Sequence, residues 1–188
     1  METGEQKNVI EKIKKTAGEL EPKLTAIRRE LHQYPELGVD LPKTHEIISR
    51  ELRKIPGLEV QEHKAGGFGI VAVMRGKRSG GKTVLLRADI DALPIEEKGE
   101  WGYKSKNPGG MHACGHDGHA AWLIGAAMLL SEIQEEWGGC IKFVFQPGEE
   151  VGKGADTLIC EDKVLEAPDV DMAFAAHGWP SIESGRFG

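Results

Sequence analysis

The sequence predicts an α/β domain, and three observations carry that prediction. Up to Ile55 the apolar residues recur at three- and four-residue spacing; beyond it they alternate or run continuously, the change of period that marks a passage from helices to a sheet. Short apolar runs are punctuated by Gly and Pro at turn positions. Several of those runs end in acidic or imidazole side chains, as expected where ligands bind beyond the strand ends of an open α/β sheet.

Taken in order, Asn8 to Lys15 reads as a helix with Val9, Ile10 and Ile13 on one stripe. Pro22 suits the first position of a second helix reaching Gln33, with Leu24, Ile27 and Leu31 at helical spacing. Pro42 opens another, whose face is Ile47, Ile48, Leu52 and Ile55 and which Pro56-Gly57 ends. Leu58 to His63 alternates like a strand, and Gly69 to Arg75 resumes after Gly66-Gly67. Gly80-Gly81 reads as a turn before a buried strand from Thr83 to Ala88, which runs into Asp89-Ile90-Asp91-Ala92-Leu93-Pro94. Glu97 to Gly110 is a loop, Ala120 to Leu130 a buried helix, Cys140 to Phe145 a buried strand and Gly154 to Ile159 a short helix. Val170 to Ala176 reads as a buried strand ending at His177.

With 188 residues the chain suits one domain large enough to bury a core. A net charge of −6, with no basic cluster interleaved with aromatics, argues against a nucleic-acid surface. No apolar run reaches the roughly 18 residues of a membrane span, and the N-terminus lacks an apolar signal core, so the expected compartment is the cytoplasm. Three cysteines, an odd number, do not suggest a disulfide framework.

The densest chemistry lies in Met111 to Ala121, MHACGHDGHAA. Thiolate and imidazole together suit zinc or a similar divalent ion. Cys114 and His116 can converge on one ion only if the backbone turns tightly at Gly115, which glycine permits. Glu149-Glu150 is the second signal. Adjacent side chains leaving a strand diverge, so one carboxylate can hold a metal while the other takes the proton of an attacking water and passes it to a leaving nitrogen, a division that fits metal-assisted hydrolysis. Alone, the pair would also read as a solvated acidic turn. His177, at a strand end, is the third signal, although a lone histidine there is more often a hydrogen-bonded structural residue. His32, His45 and His63 sit on predicted helix or strand faces, are expected to have no ligand-type neighbours nearby, and read as structural or solvated.

Four blocks in this order resemble the zinc aminoacylase and carboxypeptidase metallohydrolases, in particular the branch of N-acyl-amino-acid amidohydrolases, hippurate hydrolases and auxin–amino acid hydrolases. They are His32-Gln33-Tyr34-Pro35-Glu36-Leu37, Leu86 to Pro94, Met111 to Ala121, and Phe145-Gln146-Pro147-Gly148-Glu149-Glu150; His177-Gly178-Trp179-Pro180 falls where that branch has His-x-x-Pro. The resemblance implies a mixed, largely parallel sheet flanked by helices, of the co-catalytic metallo-exopeptidase kind. It also implies two divalent metal ions, zinc or else manganese, cobalt or nickel. Cys114, His116, Glu150 and His177 would be metal ligands, and Glu149 the general base that becomes the general acid. Asp89 matches the acidic catalytic residue of the strand-end motif, while Arg87 stands where the carboxypeptidase branch has a ligand histidine. Asp117 and His119 would orient the ligands by hydrogen bonds.

The family's catalytic domain is interrupted by a lid or dimerisation domain and then supplies one more ligand histidine. Residues 1–188 therefore resemble the N-terminal part of the metal-binding catalytic domain, ending before the inserted domain. The expected activity is metal-dependent hydrolysis of the amide bond of N-acyl amino acids, with a small N-acyl amino acid or peptide as substrate, no nucleic-acid or membrane partner, and a homo-oligomeric full-length form. A metallocarboxypeptidase or dipeptidase is the alternative in the same class; an inactive metal-binding or interaction fragment is the alternative from another. The 188-residue chain alone is expected to bind a divalent ion, to hydrolyse N-acetyl amino acids barely or not at all, and to self-associate.

Overall fold

The structure, a computed structural model, describes residues 4–186. Helix α1 (Gly4–Gln33) is continuous through Pro22, where the sequence suggested two helices. Pro22 and Gly18, four residues earlier, are both exposed, so the carbonyl that loses its helical N–H partner lies on the water side and the break is tolerated. Helix α2 (Pro42–Leu52) begins at its proline, and Glu36 caps it by accepting the N–H of Lys43 at 3.1 Å and of Thr44 at 2.8 Å.

Five strands follow: β1 (Leu58–Lys64), β2 (Gly69–Arg75), β3 (Arg78–Asp89), β4 (Gly138–Gln146) and β5 (Met172–Ala175). Helix α3 (His116–Glu132) connects β3 to β4, and α4 (Ala155–Cys160) lies between β4 and β5. The sheet order is β1-β2-β4-β3-β5. β2 pairs antiparallel with both β1 and β4, whereas β3 pairs parallel with β4 and β5. Gly80-Gly81 does not turn the chain before β3, as expected, but sits inside it. Their positive φ values, +74° and +106°, occupy an irregularity of register between Arg78 and Thr83 that only glycine accommodates without strain.

Alternation along the strands sorts the core into two faces. Ile70, Ala72, Met74, Phe143, Phe145 and Ala88 pack against helices α1, α2 and α3 through Leu31, Ile48, Ile124 and Ala127. Val71, Leu85 and Val144 face the other way, toward Leu158 and Val164. There the buried Lys142 fastens the segment after α4 by donating to the carbonyls of Val164 at 2.9 Å and Glu166 at 2.6 Å. β5 departs from expectation: it is an edge strand bonded only to β3, and Phe174 is 57% exposed. Among the described residues no helix is long and apolar enough to cross a membrane.

The parallel β3, β4 and β5 place three C-terminal ends, Asp89, Gln146 and Ala175, on one margin of the sheet. That margin receives the loops that carry Cys114, His116, Glu149, Glu150 and His177.

Candidate metal centre

Each strand end contributes a different group. Beyond β3 the chain is fixed by Ile90 N–H donating to Gln146 O at 3.0 Å and Ala92 N–H to Glu36 O at 2.8 Å, which joins the His32–Leu37 segment to the strand-end motif. Leu93 and Met111 exchange both backbone bonds, at 3.0 and 3.1 Å, so the approach to Cys114 leans on the same segment. Gly115 makes the tight turn expected of it, in the left-handed region at φ +90° and ψ +15°, and α3 starts at His116. A Cβ at position 115 would meet only His119 Nε2, at 3.8 Å, so the requirement there is conformational rather than spatial.

The structure brings together all six residues singled out in the sequence. Cys114, His116 and His177 offer ligand atoms within 4.8 Å of one another, and so do His116, Glu149 and Glu150. His116 is common to both groups. Its Nε2 lies 3.6 Å from Asp89, 3.6 Å from Glu150 and 3.9 Å from Glu149, and its Nδ1 lies 3.4 Å from Asp91. Neither ring nitrogen makes a well-formed hydrogen bond although the residue is 1% exposed, and Glu150 Oε1 is likewise buried without one. Buried polar atoms left without partners are rare in folded proteins. The spacing explains them. Two ligands bound at about 2.1 Å to one tetrahedral ion stand roughly 3.4 Å apart, too far for a good mutual hydrogen bond. Cys114 Sγ and His177 Nε2 are also 3.4 Å apart, a distance that suits a thiol hydrogen bond in the absence of an ion and two ligands of one ion in its presence. His177 Nδ1 donates to Gly178 O at 2.7 Å, which leaves the lone pair on Nε2, the usual preparation of a metal-binding histidine.

The electrostatics point the same way. Burial, then Glu150, Asp89 and Glu149, push the Cys114 thiol up to about 11, so a thiolate there needs a cation beside it. Burial would lower His116, but Asp91, Asp89 and Glu150 raise it above its ordinary value. Burial likewise works to raise Asp89, yet the bond from His119 and the charges of His116 and Arg87 outweigh it and hold its carboxyl down at about 2. The donor set and its unpartnered atoms fit divalent ions of the zinc class.

The surrounding residues hold these groups in place. His119 donates from Nδ1 to Asp89 at 2.6 Å and accepts Gly178 N–H on Nε2 at 2.8 Å, so both its nitrogens are engaged and it ties β3 to the His177 loop. Arg87 donates to Gln146 at 3.0 Å and to Asp89 at 2.7 Å. Sequence reasoning assigned no individual role to Asp91. It is fully buried and accepts the N–H of Glu149 at 3.1 Å and of Glu150 at 3.0 Å, thereby setting the loop that carries both glutamates. The second acidic residue of an Asp-x-Asp at a strand end was the signal available for it.

The reading of His32 as lacking ligand-type neighbours is corrected. Its Nδ1 bonds Asp117 at 2.8 Å and its Nε2 bonds Glu97 at 2.9 Å, while Arg28 also bonds Asp117 at 3.0 Å. Asp117, chiefly, and Glu97 raise the His32 pKa despite its burial. His112 is buried nearby with both nitrogens unpartnered, and burial lowers it to about 4. His45 and His63, also expected to stand alone, stack on each other beside Glu62.

Comparison with known proteins agrees with this arrangement. Residues 85–188 match the model of peptidase family M20/M25/M40. The chain is 46% identical to N-acetyl-L-cysteine deacetylase of Bacillus subtilis over 169 residues, which cover 90% of this chain and 39% of that protein. It is 42% identical to thermostable carboxypeptidase 1 of Saccharolobus solfataricus over 182 residues, covering 96% of this chain and 45% of that one. A crystal structure of a dinuclear metal-binding peptidase of the M20 family from Bacillus subtilis superposes with a TM-score of 0.79 at 39% identity, over 85% of this chain and 44% of that one. The chain thus spans less than half the length of these relatives. A family match over more than half of the chain, on a sheet margin that gathers the thiol, imidazole and carboxylate groups, places this chain in peptidase family M20/M25/M40.

Proposed function

We propose that this chain supplies the metal-holding and proton-transferring part of a metal-dependent amidohydrolase that releases amino acids from N-acyl amino acids. The observation that carries the reading is His116, a buried imidazole with no well-formed hydrogen bond among thiol, imidazole and carboxylate groups at ion-sharing distances. Cys114, His116, Glu150 and His177 would hold two divalent ions, zinc or else manganese, cobalt or nickel. Bound there, the ions would supply Lewis acidity toward the amide carbonyl and the attacking water.

Glu149 takes the part of base. Its side chain is 42% exposed against 19% for Glu150, so it faces the side from which substrate and water arrive, while its neighbour turns inward. It accepts a proton from water and returns it to the leaving nitrogen. Asp89 acts by position: it stays ionised, orients His119 and balances charge around His116. Asp91 keeps both glutamates in register.

We read residues 1–188 as the N-terminal part of the catalytic domain of a longer protein, to which a lid or dimerisation domain and the remaining catalytic segment would belong; relatives about twice as long support this. A homo-oligomer in the full-length form and a cytoplasmic setting complete the reading, the latter supported by free Cys114, Cys140 and Cys160. The S. solfataricus relative supports a second reading, a metallocarboxypeptidase. Turnover of an N-acetyl amino acid against a dipeptide by the intact protein separates the two. In that protein Glu149→Gln should keep its metal and lose at least about a hundredfold in kcat, the scale of general acid–base catalysis. Glu150→Gln should lose metal as well as turnover. Equal metal loss in both variants would contradict the division of labour.

A further inference from the structure

A second group of ligand-type side chains stands on the other side of the sheet's order. His45 on α2 and Glu62 and His63 on β1 offer ligand atoms within 4.8 Å of one another. β1 lies three strands away from β3 in the sheet, about 14 Å at roughly 4.8 Å per strand, so the group is separate from the centre around His116.

Neighbouring residues of a regular strand point to opposite faces, so Glu62 and His63 would not normally share a ligand. Here the pairing of β1 with β2 shifts register between Gln61 and Lys64, and His63 has φ +57°. That left-handed residue turns both side chains toward His45. The two imidazoles stack with centroids 5.0 Å apart and planes inclined by 23°. His45 Nδ1 lies 3.1 Å from Phe68 O, and His63 Nδ1 lies 3.1 Å from Gly67 O. A carbonyl oxygen can only accept, so each Nδ1 carries a proton, and Nε2 is the nitrogen that can offer a lone pair to an ion. A backbone carbonyl fixing the second ring nitrogen is the arrangement common to metal-binding histidines. On Glu62, Arg53 donates to Oε2 at 2.6 Å, and against burial the Ser49 hydroxyl beside the carboxylate helps Arg53 hold its pKa below the ordinary value. The site therefore has two oriented nitrogen donors and, within 4.8 Å of them, a carboxylate oxygen of a residue held ionised by its neighbours.

We propose that His45, Glu62 and His63 form a separate binding site for a divalent transition ion of the zinc class, which fastens α2 to the β1–β2 hairpin. Two imidazoles and one carboxylate are borderline donors that favour zinc, cobalt or nickel over magnesium or calcium. Three protein ligands leave a fourth position for water on the side of the exposed His63. The ion joins a helix to a strand, so its binding adds to the stability of the folded chain.

The test uses zinc itself. Protein labelled with nitrogen-15 in its histidines is titrated with zinc while the imidazole nitrogens are followed by long-range proton–nitrogen correlation. The Nε2 signals of His45 and His63 should shift by coordination, at a stoichiometry additional to the centre around His116. His63→Asn, which keeps a residue tolerant of the left-handed backbone, should bind one equivalent fewer after dialysis by elemental analysis. Glu62→Gln should bind that equivalent at least about tenfold more weakly. The same losses in a Cys114→Ser background would show that the two sites are independent. Nε2 signals that zinc does not move, or equal zinc content in wild type, His63→Asn and Glu62→Gln, would overturn the proposal.

Discussion

Asp91→Asn tests whether the two glutamates are positioned by the side chain to which the structure ties them. Asp91 is 0% exposed, and its two oxygens accept the backbone N–H groups of Glu149 and Glu150 at 3.1 and 3.0 Å. Asparagine has the same shape but one acceptor oxygen. One bond to a charged acceptor is lost, about 1.5–3 kcal/mol, and an amide N–H is turned against a backbone N–H with no acceptor, about 1–3 kcal/mol more. Relief of repulsion within a cluster that also holds Asp89, Glu149 and Glu150 offsets part of this. We expect a net loss of about 2–4 kcal/mol in urea denaturation of the metal-free chain. The loop that carries Glu150 should also loosen, weakening zinc binding about 10- to 100-fold by calorimetry. A variant within about 0.5 kcal/mol of wild type and with unchanged zinc affinity would refute the role assigned to Asp91.

Two further outcomes follow from the same geometry. Gly115→Ala forces an L side chain to φ +90° and should cost about 1–2 kcal/mol while weakening metal binding, since the strain falls between Cys114 and His116; the modest gain usual for Gly→Ala in ordinary backbone would contradict this. His32 has a pKa raised above 6.5, chiefly by Asp117, so folding favours its protonated form. The stability it contributes is full below pH 6.5 and is lost as pH rises through the raised value. In chelator, the melting temperature of wild type should therefore fall more steeply above pH 6.5 than that of His32→Gln; parallel profiles would count against it.

The sequence spoke most clearly where chemistry and backbone demand coincide. Gly115 between two ligand-type residues announced a tight turn, the apolar run from Gly69 announced a strand and that from Cys140 a buried strand. Pro22 misled because an exposed helical turn can forgo one hydrogen bond to water. Gly80-Gly81 misled because glycine serves a strand irregularity as well as a turn. The apolar stretch before His177 signalled a strand but not its place, since apolarity does not distinguish a central strand from an edge. Among the site residues, Cys114, His116, Glu149 and Glu150 were legible as local patterns. The contacts of Asp91 with the glutamate loop, of His32 with Asp117 and Glu97, and of His45 with His63 were not. These pairs are separated along the chain: the pairing of β3 with β4 brings Asp91 to the glutamate loop, and the packing of α1 and α2 on the rest of the fold brings the histidines to their partners.

The central claim is that Cys114, His116, Glu150 and His177 hold divalent metal. Cobalt(II) reports on it directly, because a cysteine thiolate bound to cobalt gives an intense sulfur-to-metal charge-transfer absorption that nitrogen and oxygen ligands do not. Titrating the metal-free chain with cobalt(II) should produce that band. Cys114→Ser should abolish it, and His116→Ala or His177→Ala should weaken the binding that gives rise to it. Tight cobalt binding with no thiolate band, or a band that persists in Cys114→Ser, would contradict the account.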